Sequence, residues 1–181
     1  MKKILIVFLV VVSPVVAQDQ RTTALAAAGC GPDEVEFSVK TDKKQHPAPQ
    51  AEAGKALVYV FERVKTDDAG FAIFGVTTKV GLDGAWAGAN SSNSYFFFSV
   101  EPGDHRVCTK WQSAVSERSK LASAASFSAG PGKIYYFRTS VRVFSDHNQR
   151  ADIDLKLEPL DPAEAQILLA DSALSRSHPK K

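Results

Sequence analysis

The sequence predicts a mainly β protein, an antiparallel β-sandwich with one C-terminal α-helix. Three observations carry that prediction. Short segments of alternating or wholly apolar residues recur along the chain, which is the periodicity of strands. Turn signals separate them, at Asp83-Gly84, Glu101-Pro102-Gly103-Asp104 and Gly130-Pro131-Gly132. Only the segment after Asp161 changes to helical spacing. Several short strands joined by such turns make a sandwich or an open barrel.

The chain opens on a different signal. Lys2 and Lys3 form a positive start, Ile4 to Val12 is apolar, Ser13 and Pro14 break it, and Val15-Val16-Ala17 supplies small residues for a signal peptidase. The apolar stretch is shorter than the about 20 residues that a resident membrane helix needs. Residues 1–17 therefore read as an export signal, with mature protein starting at Gln18, in the periplasm or outside the cell. No later run is apolar enough for a membrane span. Residues 18–33 are polar and then Ala-rich, and read as a loose leader.

The sandwich is expected over residues 34–160. Glu34 to Lys40 alternates, with Val35, Phe37 and Val39 on one side. Thr41 to Gly54, with Pro47 and Pro49, reads as a connecting loop. Lys55 to Arg63 (KALVYVFER) is apolar on both faces and β-branched or aromatic, which marks a central strand. Ala72 to Leu82 returns with Val76, Val80 and Leu82 on one face and Thr77 and Lys79 on the other. Asp83-Gly84 then makes a tight hairpin turn. A short strand with Trp86 follows, then a loop over Gly88 to Ser94 (GANSSNS).

Tyr95 to Val100 (YFFFSV) is the most aromatic strand. After its Pro-Gly turn, His105 to Gln112 should run back antiparallel. Ser113 to Leu121 reads as a loop, Ala122 to Phe127 as a short strand, Lys133 to Val143 as a long one and Asp146 to Arg150 as a turn. Asp152 to Glu158 alternates with Ile153, Leu155 and Leu157 inward. Asp161-Pro162-Ala163-Glu164 then supplies an N-cap, a first-turn proline and an acidic residue. A helix is expected within 161–175, from about Pro162 to Leu174. Residues 176–181 read as a disordered basic tail.

From Gly54 to Val107 the chain resembles the family called domain of unknown function 2846, of exported bacterial proteins. The matching stretches are Gly54-Lys55-Ala56-Leu57-Val58-Tyr59-Val60, Leu82-Asp83-Gly84, and Asn93-Ser94-Tyr95-Phe96-Phe97-Phe98 leading into Glu101-Pro102-Gly103-Asp104-His105. The resemblance implies a sandwich of the prealbumin or immunoglobulin-like kind. It transfers no catalytic residue.

Charge and chemistry narrow the function. The chain has 22 basic and 20 acidic residues, and Lys2 and Lys3 leave with the signal. No basic face for nucleic acid is visible. Cys30 and Cys108 are an even pair in an oxidising compartment, which favours a disulfide. Lipid attachment at Cys30, after Ala27-Ala28-Gly29, is the rival reading. No metal or cofactor is expected: His46, His105, His147 and His178 lack ligand spacing. Asp67, Asp68 and Gly70 lack the alternating oxygens of a calcium loop.

Asp104-His105 could be a general base with its orienting carboxylate. Adjacent strand residues point to opposite faces, however, so Asp104 is badly placed for that role. Cys108, at an odd offset, should face away from His105. The reading that remains is a non-enzymatic exported binding module with an envelope protein or glycan as partner. Trp86, Asn90, Asn93 and Tyr95 are its candidate binding residues, and Trp111 a further aromatic. The alternatives are a small hydrolase centred on His105 and a structural component that self-associates through an edge strand.

Overall fold

The computed structural model describes residues 30–66, 76–113, 120–145 and 151–181. The segment read as an export signal (residues 1–17), most of the expected leader, the Asp67-Asp68-Gly70 segment and the expected turn at 146–150 lie outside the described residues. The strands are β1 (Phe37–Asp42), β2 (Ala56–Thr66), β3 (Thr77–Leu82), β4 (Ala85–Ser91), β5 (Ser94–Val100), β6 (Gly103–Gln112), β7 (Ala122–Ala129), β8 (Ile134–Ser145), β9 (Ala151–Pro159) and β10 (Ala173–Pro179). Helix α1 (Pro162–Asp171) lies between β9 and β10. A six-stranded sheet in the order β1-β10-β5-β2-β8-β9 packs on a four-stranded sheet, β4-β3-β6-β7.

The two-faced apolar pattern of β2 is explained by its place at the centre of the larger sheet. Ala56, Val58 and Val60 pack inward with Phe96, Val100, Phe137 and Leu157, against Val80, Val107 and Ala129 of the smaller sheet. Leu57, Tyr59 and Phe61 pack on the other side with Tyr95, Leu160, Ala165, Leu168 and Leu174. Each such side chain contributes about 1.5–3 kcal/mol when fully buried. The molecule thus has three layers: small sheet, large sheet, and helix. Asp161 caps the helix by accepting from the N–H groups of Ala163 at 2.8 Å and Glu164 at 3.3 Å. Arg138 of β8 ties the helix to the sheet, pairing with Glu158 at 2.6 Å and also with Glu164.

Several expectations are corrected. Residues 176–181 are not a free tail: Phe37 to Asp42 pairs with Pro179 to Leu174, residue by residue. The helix stops at Asp171, where Ser172 turns to extended backbone and donates its N–H to Leu168 O at 2.9 Å. The supposed loop at Gly88 to Ser94 is mostly strand, with only the positive-φ residues Ser92 and Asn93 between β4 and β5. The first strand lies a few residues later than its alternation suggested, at Phe37–Asp42. The Pro-Gly turn does not make a hairpin either. It carries the chain from β5 in the large sheet to β6 in the small one, where β6 pairs with β3 and β7. Two pairings are parallel, β2 with β8 and β10 with β5, so the large sheet is mixed.

The Asp83-Gly84 hairpin is formed, with φ of 50° and 89° at its two residues. Residues 30–36 lie across the outer face of the small sheet. Cys30 and Cys108 form a disulfide, with Cα atoms 5.4 Å apart and a sequence separation of 78. A thioether-linked lipid would need the same Cys30 sulfur. Gly81 permits the close approach, since a Cβ there would lie 2.0 Å from Cys30 O. Lys79 is on the outward face as expected, yet only 3% exposed beneath this strap. Its ammonium donates to Val35 O at 2.8 Å and sits 4.3 Å from the Trp86 ring centre.

Candidate functional site

The four candidate binding residues do not share a surface. Trp86 is half-buried, and its indole N–H donates to Pro32 O at 2.7 Å, holding the N-terminal strap. Asn90 is fully buried and donates from Nδ2 to Val60 O at 2.9 Å across the sandwich. Asn93 is exposed at the β4–β5 turn, where Oδ1 accepts from Val64 N at 2.9 Å. Tyr95 lies under the helix with 0% exposure, and Trp111 is 4% exposed. Each has a structural contact, and Trp86, Tyr95 and Trp111 do not form a shared aromatic surface.

His105 has a partner that alternation along one strand does not reveal. Its Nδ1 lies 2.6 Å from Asp83 Oδ2, on the neighbouring hairpin, and its Nε2 lies 2.7 Å from Glu101 O. The ring also packs on Phe127, its cross-strand neighbour, with centres 5.6 Å apart. A carbonyl and a carboxylate both accept, so the two contacts together require both nitrogens to carry protons. Burial works against the charged ring, but the bonds to Asp83 and Glu101 O and the charges of Asp83 and Asp104 outweigh it. The His105 pKa is raised above the ordinary histidine value. Burial likewise opposes the Asp83 charge, yet the Arg106 N–H and His105 hold its carboxyl below the usual range. The result is an ion-paired clamp joining two turns, with no ring nitrogen free to accept a proton. The hollow beside it, about 740 Å³, is lined by Asp83, Asp104, Arg106, Ser126 and Ser128. Ser128 donates its hydroxyl to Asp104.

A second opening is built by the sheet itself. Strands β10 and β5 pair only at Ala173 with Ser94 and Leu174 with Tyr95, and then part. Between them lies a cleft of about 470 Å³, bounded by Pro47, Ala87, Phe96, Phe97, Arg176 and Ser177. The register shift at Val80/Gly81 leaves Ala87 without a β3 partner, as an exposed bulge residue. Gly88 beside it keeps the floor low, since a Cβ there would come 2.8 Å from the Phe96 ring. Loop residue His46 fixes one rim, its ring nitrogens 2.9 Å from Leu169 O and 3.0 Å from Lys43 O. Pro47 also lines a hollow of about 240 Å³ whose wall includes Tyr95. The buried Tyr95 hydroxyl has no hydrogen-bond partner.

Sequence reasoning missed Glu62, on β2. It is fully buried, and Oε2 accepts from the Thr78 hydroxyl at 2.5 Å across the sandwich. Oε1 has no hydrogen-bond partner. Burial pushes its pKa up to about 7, against the lowering effects of the Thr78 hydroxyl and the Ser92 and Thr78 amides. The signal was present as a carboxylate inside an otherwise apolar run. Among the described residues no group of three His, Cys, Asp or Glu is placed to hold a metal ion. No described helix is long and apolar enough to cross a membrane.

No protein-family model matches the chain, and no curated protein matches it.

Proposed function

We propose that the chain is an exported, non-enzymatic binding module whose ligand enters the cleft between β5 and β10. The observation that carries this reading is the cleft itself, an opening built into the backbone and floored by Phe96 and the Ala87 bulge. Its volume falls in the range of roughly 300–1,000 Å³ typical of ligand sites. Export is supported by the N-terminal signal and by the Cys30–Cys108 pair, since disulfides persist in oxidising compartments. The resemblance to domain of unknown function 2846 belongs to the same proposal. The hydrolase alternative is disfavoured because both His105 nitrogens are committed, which leaves no base to activate a hydroxyl or water.

The test uses disulfide-intact mature protein in three forms: wild type, Ala87→Trp to fill the cleft, and His105→Gln to remove the clamp. Native envelope extract and a glycan array are presented to each, after circular dichroism confirms the fold. Retention by wild type that is lost in Ala87→Trp and kept in His105→Gln is expected. Retention unaffected by Ala87→Trp would overturn the reading. So would a hydrolytic activity of the wild type that His105→Gln abolishes.

A further inference from the structure

The cleft has a charge that its lining leaves available. Arg176 stands on β10 at the cleft wall, exposed, and donates from Nη2 to Gln45 Oε1 at 2.6 Å. That acceptor is neutral, and no described carboxylate is paired with Arg176. The neighbouring charges are of the same sign. Lys40 is its cross-strand partner on β1, and Lys43 and Lys44 follow on the exposed loop. Asp42 is the one acid among them in residues 40–46, and its carboxylate accepts from the Lys44 N–H at 2.8 Å. Inside this cationic rim the lining turns apolar, with Pro47, Ala87, Phe96, Phe97 and Leu174. A planar guanidinium matches a carboxylate in two parallel hydrogen bonds.

We propose that the cleft between β5 and β10 binds a small organic acid, its carboxylate on Arg176 and its apolar body against Pro47, Phe97 and Leu174. This rests on the binding-module reading and adds to it the chemical class of ligand. The cleft volume suits one aryl or short alkyl acid and not a folded partner. The Gln45 contact holds the guanidinium at the wall before the acid arrives, which reduces the ordering cost of binding.

The experiment titrates 4-phenylbutyrate and its neutral analogue 4-phenylbutan-1-ol into the mature protein, followed by amide NMR. The acid should give saturable shifts at Ala87, Phe97, Arg176 and Ser177, with the alcohol at least tenfold weaker. Arg176→Gln should erase that difference, and Ala87→Trp should abolish the shifts. Raising the salt to 0.5 M should weaken the acid alone, by screening. Equal affinity for acid and alcohol, no saturable binding of the acid, or shifts clustered at Lys79 and Lys110 would each overturn the proposal. If those fail while retention of an envelope ligand still depends on Ala87, the organic-acid assignment falls and the binding-module reading stands.

Discussion

Single residues here take their character from partners on other strands. Glu62 shows the largest consequence. A carboxyl whose folded pKa is about 7 keeps its proton in the folded state after the unfolded chain has released it, between about pH 4.5 and 7. The folded state therefore loses stability as pH rises through that window, by about 3 kcal/mol, and the loss levels off above it. Glu62→Gln should reduce the slope, read as urea-unfolding midpoints at pH 5 and pH 8, and leave the part that His105 supplies. A slope unchanged in Glu62→Gln would show that the carboxyl is not its source. His105 acts in the same direction. Its raised pKa gives stability that is complete below the ordinary histidine value and is lost as pH rises through the folded value. The presence of Glu62 was legible in KALVYVFER, but its partner Thr78 lies on the facing sheet. The Asp83–His105 pair was hidden for a similar reason: strand alternation excludes Asp104, and only the register of β3, β4 and β6 brings Asp83 close.

At the scale of elements, the strands with strong side-chain patterns were the readable ones. β2, β5, β8 and β9 are apolar where they should be, and Val58, Val60, Phe96, Phe98, Leu155 and Leu157 all join the core clusters. β10 was not readable, because Ser-Arg-Ser-His-Pro carries no apolar alternation. It is a strand because β1 and β5 offer it hydrogen bonds, and pairing partners outweigh weak intrinsic propensity. Its first residues, Ala173 and Leu174, fall inside the helix that the sequence predicts up to about Leu174, and the structure places them in the strand. The N-terminal strap is held mainly by one covalent link. In the chain-entropy model a loop of this length contributes about 4 kcal/mol, so reduction should lower the melting temperature by roughly 10 °C for a domain of this size. Differential scanning calorimetry with and without reductant reads this directly. An unchanged melting temperature would mean that the strap's contacts with Lys79 and Trp86 and the Asp33–Lys110 ion pair at 2.5 Å hold it without the disulfide.

For the whole molecule, the mainly β sandwich with its C-terminal helix followed from the sequence, and the assignment of strands to sheets did not. Tight turns at Glu101-Pro102-Gly103 and Gly130-Pro131-Gly132 look like hairpin turns from composition. Here they carry the chain between sheets, because β5 and β8 pair with the two edges of β2 in the large sheet while β6 and β7 pair in the small one. Single hydrogen bonds also join the two sheets, between the edge strands β7 and β9 and between β10 and the edge strand β4. Ser123 Oγ accepts from Leu157 N at 3.0 Å between β7 and β9, and Ser177 Oγ accepts from Ala89 N at 3.0 Å between β10 and β4. Deleting residues 173–181 should therefore remove cooperative unfolding, seen as a broad thermal transition and loss of near-ultraviolet dichroism. A sharp transition in the deletion would show that β10 is an accessory.

The place of β10 between β1 and β5 also sets an order of events in time. Among the described strands of the large sheet, β1 pairs with β10 alone, so its backbone ladder there waits for β10, although Phe37 also exchanges hydrogen bonds with the Gln112 side chain of β6. A chain made N-terminus first thus carries β1 without its ladder partner until residues 174–179 have been made. The large sheet reaches its full width only when the final seven-residue strand is free to insert. The seam between β1 and the rest of the large sheet is thus among the last of its ladders to close.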